Sequence, residues 1–384
     1  MSRQDGQQVV ARKARGGSRD VKFIDPIPDQ PTLQRLRRKL VAWYAHHGRD
    51  LPWRRTRDPY RIWISEIMLQ QTTVKAVIGY YQRFFEAFPT LQSLADAPEE
   101  RVLRLWEGLG YYSRARNIHR AARELVNDHH GKFPKEVDSL LGLPGVGRYT
   151  AGAIASFAFD ERAPIVEANT IRLYSRLLGY REDPRAAPGQ QLLWSFAERI
   201  LPEKSPGQFN HALMDLGATV CTPSAPDCPN CPLMRECAAL RDGTQNEIPL
   251  AKQRVEPTLR TEAAIAIRRG NSFLLMQRPV GTWWAGLWDF PRFALDEDSR
   301  LSVTVKRKLQ EQILDQTGLV VEIGDLITEM KHTVTRYRIR LLCLRAEHRQ
   351  GEPADEPPFQ WVKPGNVAGY PLSTTGRKLA NLLK

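Results

Sequence analysis

At 384 residues the chain is too long for one compact core, so two domains plus appendages are expected. Its 56 Lys and Arg against 43 Asp and Glu leave a net charge of +13, which favours a polyanionic partner, nucleic acid first and an anionic membrane surface second. No apolar run approaches the roughly 18 residues of a spanning helix and no signal-peptide core follows the start, so a membrane-free, cytoplasmic protein (nucleoid-associated if bacterial) is expected.

Residues 1–30 are polar, basic and aperiodic, and read as a disordered arm. From there to about residue 240 the patterns are helical. Leu33, Leu36, Leu40 and Tyr44 form a 3.6-period stripe that Gly48 ends. Further helical segments are predicted at 61–87, 98–107, 113–128, 136–142, 148–158, 168–178, 190–200 and 207–219, with no alternating strand among them. Residues 241–258 are polar, include Pro249 and Pro257, and read as a linker. TEAAIAIRR and SFLLMQR then form two strand-like runs joined by Gly270-Asn271, a hairpin signal. KHTVTRYRIRLLCLRAE (331–347) reads as one long strand, and PLSTTGRKLANLLK closes the chain as a helix. Residues 259–384 are therefore a smaller α+β domain.

Four of the five cysteines, Cys221, Cys228, Cys231 and Cys237, are spaced C-x6-C-x2-C-x5-C. In a reducing compartment such a group points to metal before disulfides. Four thiolates can hold tetrahedral zinc or a four-iron cluster. Zinc ribbons usually pair two C-x2-C units across a longer spacer, and the single compact C-x2-C here favours the cluster. Cys343, in an apolar strand, reads as a small buried hydrophobe.

EVDSLLGLPGVGRYTAGAIASFAF reads helix, turn, helix. Gly145 and Gly147 permit positive φ, and the first N–H groups of the second helix would then face outward as a phosphate nest. An ordinary tight connection is the competing reading; the charge tips the balance toward DNA. Two carboxylates stand in apolar company. Glu66, within WISEIMLQQT, has neighbours that would raise its pKa into the range of a general acid; pairing with Arg54, Arg55, Arg57 or Arg61 is the alternative. Glu167, within APIVEANTIRLYSRLLG, follows an apolar run, where an unpaired carboxylate costs several kcal/mol.

The hairpin followed by the cysteine group resembles the endonuclease III superfamily of helix–hairpin–helix DNA glycosylases. Within it, LPWRRTRDPYRIWISEIMLQQTTV, GLGYYSRARNIH and the appended C-terminal domain resemble the MutY-type family, over roughly residues 32 to 383. The resemblance implies a multi-domain protein: an all-α helix–hairpin–helix core with an iron–sulfur module, and a C-terminal α+β Nudix-like domain. It implies hydrolysis of the N-glycosidic bond of adenine opposite 8-oxoguanine or guanine, with double-stranded DNA as partner, a monomeric protein, and a [4Fe-4S] cluster on Cys221, Cys228, Cys231 and Cys237.

Glu66 matches the family's acid, which protonates adenine at N7. Glu167 stands where the family has the aspartate of a D-G-N string; here the string is E-A-N, and Asn169 matches the asparagine that orients the site. The extra methylene displaces the carboxylate by about 1.5 Å on an unchanged backbone, so either the helix start shifts or catalysis is altered. Tyr149 occupies the place where glycosylase-lyases carry a Schiff-base lysine, which implies a monofunctional enzyme. Gln71 and Tyr111 match residues that wedge into the duplex while adenine is flipped out.

GTWWAGLWDFPRF resembles the entry to a Nudix fold. In the metal-binding run Glu311–Leu319, glutamines replace two of the family's three glutamates and Asp315 the third, which disfavours nucleotide hydrolysis. The MutY loop F-S-H after H-T becomes Val334-Thr335-Arg336 after His332-Thr333, with the hydroxyl kept by Thr335. Arg336, Arg338 and Arg340 fall on one strand face, toward DNA or toward solvent. The rival readings are an endonuclease III-like glycosylase-lyase, disfavoured by Tyr149, and a non-catalytic cluster-bearing DNA-binding protein, should E-A-N have abolished chemistry.

Overall fold

The computed structural model describes residues 27–251, 256–279, 281–296 and 301–383. The predicted N-terminal arm lies, up to residue 26, outside the described residues, as do residues 252–255 of the predicted linker.

Helix α1 (Gln30–His47) begins where the Asp29 side chain accepts the Thr32 N–H, buries Leu33, Leu36 and Leu40, and stops at Gly48. The predicted segment 61–87 is two helices, α2 (Pro59–Leu69) and α3 (Val74–Ala87). The chain breaks between them because Gln71 takes φ +59 and the Thr73 side chain caps α3 by accepting from Ala76 N–H. A short α4 (Leu91–Ala95), absent from the predicted elements, is set by a Thr90/Ser93 capping box. Helices α5 (Glu99–Trp106), α6 (Ser113–Asp128), α7 (Val137–Leu141), α8 (Arg148–Phe159), α9 (Ala168–Leu178), α10 (Ala187–Ile200) and α11 (Pro206–Thr219) lie close to their predicted bounds, and α12 (Ala238–Arg241) follows the cysteine loop.

These helices form two lobes. In one, α2, α3, α5, α6 and α8 close over Trp63, Phe84, Phe88 and Trp106. In the other, α1, α9, α10 and α11 close over Leu36, Tyr174, Phe196 and Phe209, and the core extends to Cys221. Each such side chain contributes roughly 1.5–3 kcal/mol on burial, so both walls of the cleft between the lobes are firmly packed. Gly217 of α11 allows the start of α9 to close in: a Cβ there would lie 2.8 Å from the Asn169 Cβ.

The C-terminal domain is a sheet ordered β3-β2-β1-β6-β5, with β4 added to β1 and β7 to β2. Its elements are β1 (Thr258–Arg269), β2 (Ser272–Gln277), β3 (Trp288–Asp289), β4 (Arg292–Leu295), α13 (Val303–Thr317), β5 (Val320–Val334), β6 (Tyr337–Gln350), β7 (Phe359–Val362) and α14 (Thr374–Leu382). The hairpin at Gly270-Asn271 forms as predicted, with Arg269 opposite Ser272. Cys343 is fully buried in β6.

Two predictions are corrected here. The single strand at 331–347 is an antiparallel hairpin in which Val334 pairs with Tyr337 across Thr335 and Arg336. Thr335 itself takes φ +51, and no Gly, Pro or Asn marks the turn. Arg336 therefore sits in the turn rather than on one face with Arg338 and Arg340, and Arg340 pairs with Glu329 at 2.9 Å. The linker also starts later than its composition suggested. The chain as far as Ile248 still packs on the second lobe, where Ile248 is buried and its carbonyl accepts from Arg176 Nε at 2.8 Å.

A candidate active site between the helical lobes

A cleft of about 880 Å³ lies between the lobes, lined by Glu66 and Tyr149 from one and by Glu167, Asn169 and His211 from the other. Glu66 is 3 % exposed, on a helix that buries nearly all its faces. Burial pushes its carboxyl up to about 7, against the pull of the Tyr149 hydrogen bond and of Arg54, and nearby Glu167 pushes the same way as burial. Tyr149 Oη donates to Glu66 Oε2 at 2.5 Å. Burial and the two glutamates hold the phenol well above its ordinary pKa, so it stays a donor. Among the described residues Glu66 forms no ion pair with Arg54, Arg55, Arg57 or Arg61, though it does face the cleft. Arg55 is engaged by Asp50, Arg61 faces Asp58, and Arg54 donates to fully buried Asp215 at 2.6 and 2.8 Å. Burial alone would raise Asp215, but the hydrogen bonds and charges of Arg54 and Arg49 prevail and hold it below the usual carboxylate range.

Glu167 is the N-cap of α9. Its backbone is extended (φ −142°, ψ −178°), and its Oε1 accepts the N–H groups of Asn169 at 2.9 Å and Thr170 at 3.0 Å. Thr170 Oγ1 accepts the Glu167 N–H in return at 2.8 Å, completing a capping box. Glutamate is an uncommon N-cap, yet here its side chain reaches the first N–H groups of α9, which begins at Ala168. Burial raises the Glu167 pKa, and the two backbone N–H bonds act against it. Asn169 Nδ2 donates to Glu167 Oε2 at 3.3 Å. The amide is oriented by Arg172, whose Nη2 donates to Asn169 Oδ1 at 3.0 Å and whose Nε donates to the Cys221 carbonyl at 2.6 Å. An unbroken polar path thus runs from the cysteine loop to the Glu167 carboxylate.

The sequence reading missed His211. Its ring stacks on Phe157 at 3.9 Å and faces the cleft from α11; burial first, then Arg54, pushes its pKa down to about 3, so it is a neutral imidazole. Its sequence signal was only its spacing from Met214 and Ala218 at i+3 and i+7, which also line the cleft. Arg114 was missed as well. Buried, and with no carboxylate partner among the described residues, it donates to the carbonyls of Ile67 (2.5 Å), Gln70 (2.6 Å), Leu109 (3.2 Å) and Gly110 (3.2 Å). It thereby clamps two loops at the cleft mouth, which present Gln71 and Tyr111. These two residues both have positive φ (59° and 49°), and Tyr111 Oη donates to Gln71 Oε1 at 3.1 Å. The Tyr111 side chain is exposed.

Between α7 and α8 only Gly145 uses positive φ (+76°), and a Cβ there would meet Asn117 at 2.7 Å. Gly147 departs from expectation: as N-cap of α8 it is extended, at φ −94°. What its missing side chain provides is open space, with nothing within 4 Å of the Cβ position, over the first N–H groups of α8. Thr335 lies on the β5–β6 turn of the other domain, not in the cleft. Cys221, Cys228, Cys231 and Cys237 form no disulfide and surround one cavity with Leu173, Leu177 and Val220. Arg176 Nη1 lies 3.3 Å from Cys221 Sγ. Among the described residues, no three His, Cys, Asp or Glu side chains close on a point fit for a single ion.

The helical lobes and the sheet domain each match a known family. Residues 64–199 match the HhH-GPD superfamily of base excision DNA repair proteins, and residues 263–382 match the NUDIX domain. A thermostable thymine-DNA glycosylase of solved structure superimposes with a TM-score of 0.52 at 31% identity, covering 55% of this chain and 98% of that one. The adenine DNA glycosylase of Rattus norvegicus is 34% identical across 81% of this chain and 71% of its own length. That of Buchnera aphidicola (Schizaphis graminum) is 38% identical across 66% and 74%. With buried carboxylates facing one cleft, a match to the HhH-GPD superfamily, and adenine DNA glycosylases at 32–34% identity over more than four fifths of its length, the chain belongs to the adenine DNA glycosylase family of base excision repair enzymes.

Proposed function

We propose that the protein hydrolyses the N-glycosidic bond of adenine opposite 8-oxoguanine or guanine, by a monofunctional route with Glu66 as general acid. The observation that carries this reading is the Glu66 carboxyl, buried, raised to about 7, and held through Oε2 by Tyr149. Oε1 is left to deliver a proton to adenine N7, so that the base departs neutral. Positive charge then develops on the sugar, and the Glu167 carboxylate, fixed by α9 N–H groups and Asn169, stabilises it without reorganising. Deprotonated Glu66 next serves as base for the attacking water. Tyr149 has no amine with which to form a Schiff base.

Gln71 and Tyr111, at the cleft mouth, fill the stack while adenine is flipped. Gly145, Gly147 and the N–H groups that open α8 take a backbone phosphate. Thr335 on the exposed β5–β6 turn contacts the base opposite. The four cysteines would hold a [4Fe-4S] cluster: soft thiolates spread around an apolar cavity suit four irons, whereas zinc wants all four sulfurs about 2.3 Å from one point. Bound there, such a cluster would cross-link the loop that carries the four cysteines and hold it rigid.

A panel of duplexes with adenine opposite 8-oxoguanine, guanine, cytosine and thymine, scored for free adenine, tests the reading. Release is expected from the first two, and release from none defeats it. Strand breaks without alkali, at the rate of base loss, would instead establish a lyase. Purified protein should absorb near 400 nm and carry about four irons per chain; stoichiometric zinc would correct the cluster assignment.

A further inference from the structure

The C-terminal domain docks on the first lobe through α5 and its C-terminal end. Leu287, just before β3, is fully buried in that lobe's core, and Trp288 Nε1 donates to Glu100 at 2.9 Å. The polar centre of the contact is Glu107. Its carboxylate accepts Arg377 Nε at 2.8 Å and Nη2 at 3.0 Å, Arg104 Nη1 at 3.1 Å, and the Leu372 N–H at 3.3 Å. Arg377 is itself fixed by the carbonyls of Val367 at 2.9 Å and Tyr370 at 2.5 Å. The Glu107 and Arg377 side chains are only 10% and 19% exposed, so this bidentate pair is not the loose surface kind that contributes little.

Glu107 is also the root of the loop that ends in Tyr111. Its carbonyl accepts from Tyr80 Oη at 2.9 Å, and Gly108 follows at φ +95°, packed so closely on that hydroxyl that a Cβ would not fit. Gly110 and Tyr111 continue in the left-handed region, and Trp106 Nε1 donates to the Gly110 carbonyl at 3.2 Å. With the carbonyls of Leu109 and Gly110 clamped by Arg114, the loop has little slack. The backbone from Glu107 to Tyr111 is thus held at successive residues, so a shift of the Glu107 backbone is passed on toward Tyr111.

The geometry points to the Glu107–Arg377 pair as a strut through which the C-terminal domain sets the Tyr111 loop, so that reading the opposite base and wedging beside adenine are coupled. Both are positioning residues, and the proposal rests on the reading that this domain contacts the base opposite adenine. Coupling of this kind changes discrimination between opposite bases rather than the bond-breaking step itself.

The test uses full-length, cluster-loaded protein and single-turnover adenine release from duplexes with 8-oxoguanine or guanine opposite adenine. Arg377→Gln and Glu107→Gln should each shrink the parent's preference for the lesion about tenfold, a usual size for coupling between sites. The double variant should be no worse than either alone, and the pH profile of release should be unchanged. Glu107→Gln keeps an acceptor for the Leu372 N–H, so it decides the matter if Arg377→Gln fails to fold. Equal slowing on both duplexes, or an unchanged preference, overturns the strut while leaving lesion reading intact. A parent with no preference defeats the lesion reading and the strut together.

Discussion

Glu66→Gln should slow adenine release by about a thousandfold, the scale of a lost general acid, while binding mismatched duplex as tightly as the parent. The amide keeps an oxygen for Tyr149 but has no proton of suitable acidity for adenine N7. In the parent, release should fall as pH rises through about 7, because burial holds the Glu66 carboxyl protonated up to that point. The same shift bears on stability. With 4.5 in the unfolded chain and about 7 in the fold, the carboxyl favours the folded state below 4.5. That advantage is lost between 4.5 and 7, and above 7 the buried charge costs about 3 kcal/mol. The inactive Glu66→Gln protein should therefore be more stable than the parent at pH 8 and should lose that advantage at pH 4. Thermal melting at the two pH values checks this; parallel curves would mean that Glu66 is not strained by its charge. Retention of more than about a tenth of the parent's activity would remove Glu66 from the acid's place.

Much of this site was legible because its causes are local. Glu66 sits among Trp63, Ile64, Ile67 and Met68, so a raised pKa was one of two readings its neighbours allowed, and the family resemblance chose between them. Helix limits were readable where a glycine punctuates them, as at Gly48. The break between α2 and α3 was not, since no Gly or Pro marks Gln70 to Thr73 and the cause is a glutamine in the left-handed region. The β5–β6 turn escaped for a related reason: no Gly, Pro or Asn marks it, and a threonine takes the left-handed position.

What remained hidden depends on distant packing. His211 becomes a neutral imidazole only because α11 lies on α8, where Phe157 stacks on it and Arg54 reaches it. Arg114 looks like one more solvated arginine until its partners, the carbonyls of Ile67, Gln70, Leu109 and Gly110, are brought together from two loops. The polar stretch after residue 240 hid a buried Ile248 because a single apolar residue, held by Arg176, anchors it.

Glu167 is where sequence and structure together leave the sharpest prediction. The carboxylate does two jobs, capping α9 with Oε1 and holding Oε2 beside Asn169 on the cleft wall. Glu167→Gln preserves an acceptor for the cap but removes the charge. Adenine release should fall by about 10²–10³, the scale of a lost preorganised electrostatic partner, with the melting temperature little changed. Glu167→Asp preserves the charge and is a better N-cap residue. It should keep the helix start but withdraw the carboxylate from the sugar, and a misplacement of about 1 Å can cost up to a hundredfold. The ranking expected in single-turnover assays is parent, then Asp, then Gln. An Asp variant faster than the parent would mean that the longer side chain is a compromise the site has not absorbed. A Gln variant as active as the parent would show that no negative charge is needed at this position, and would leave Glu167 only its cap.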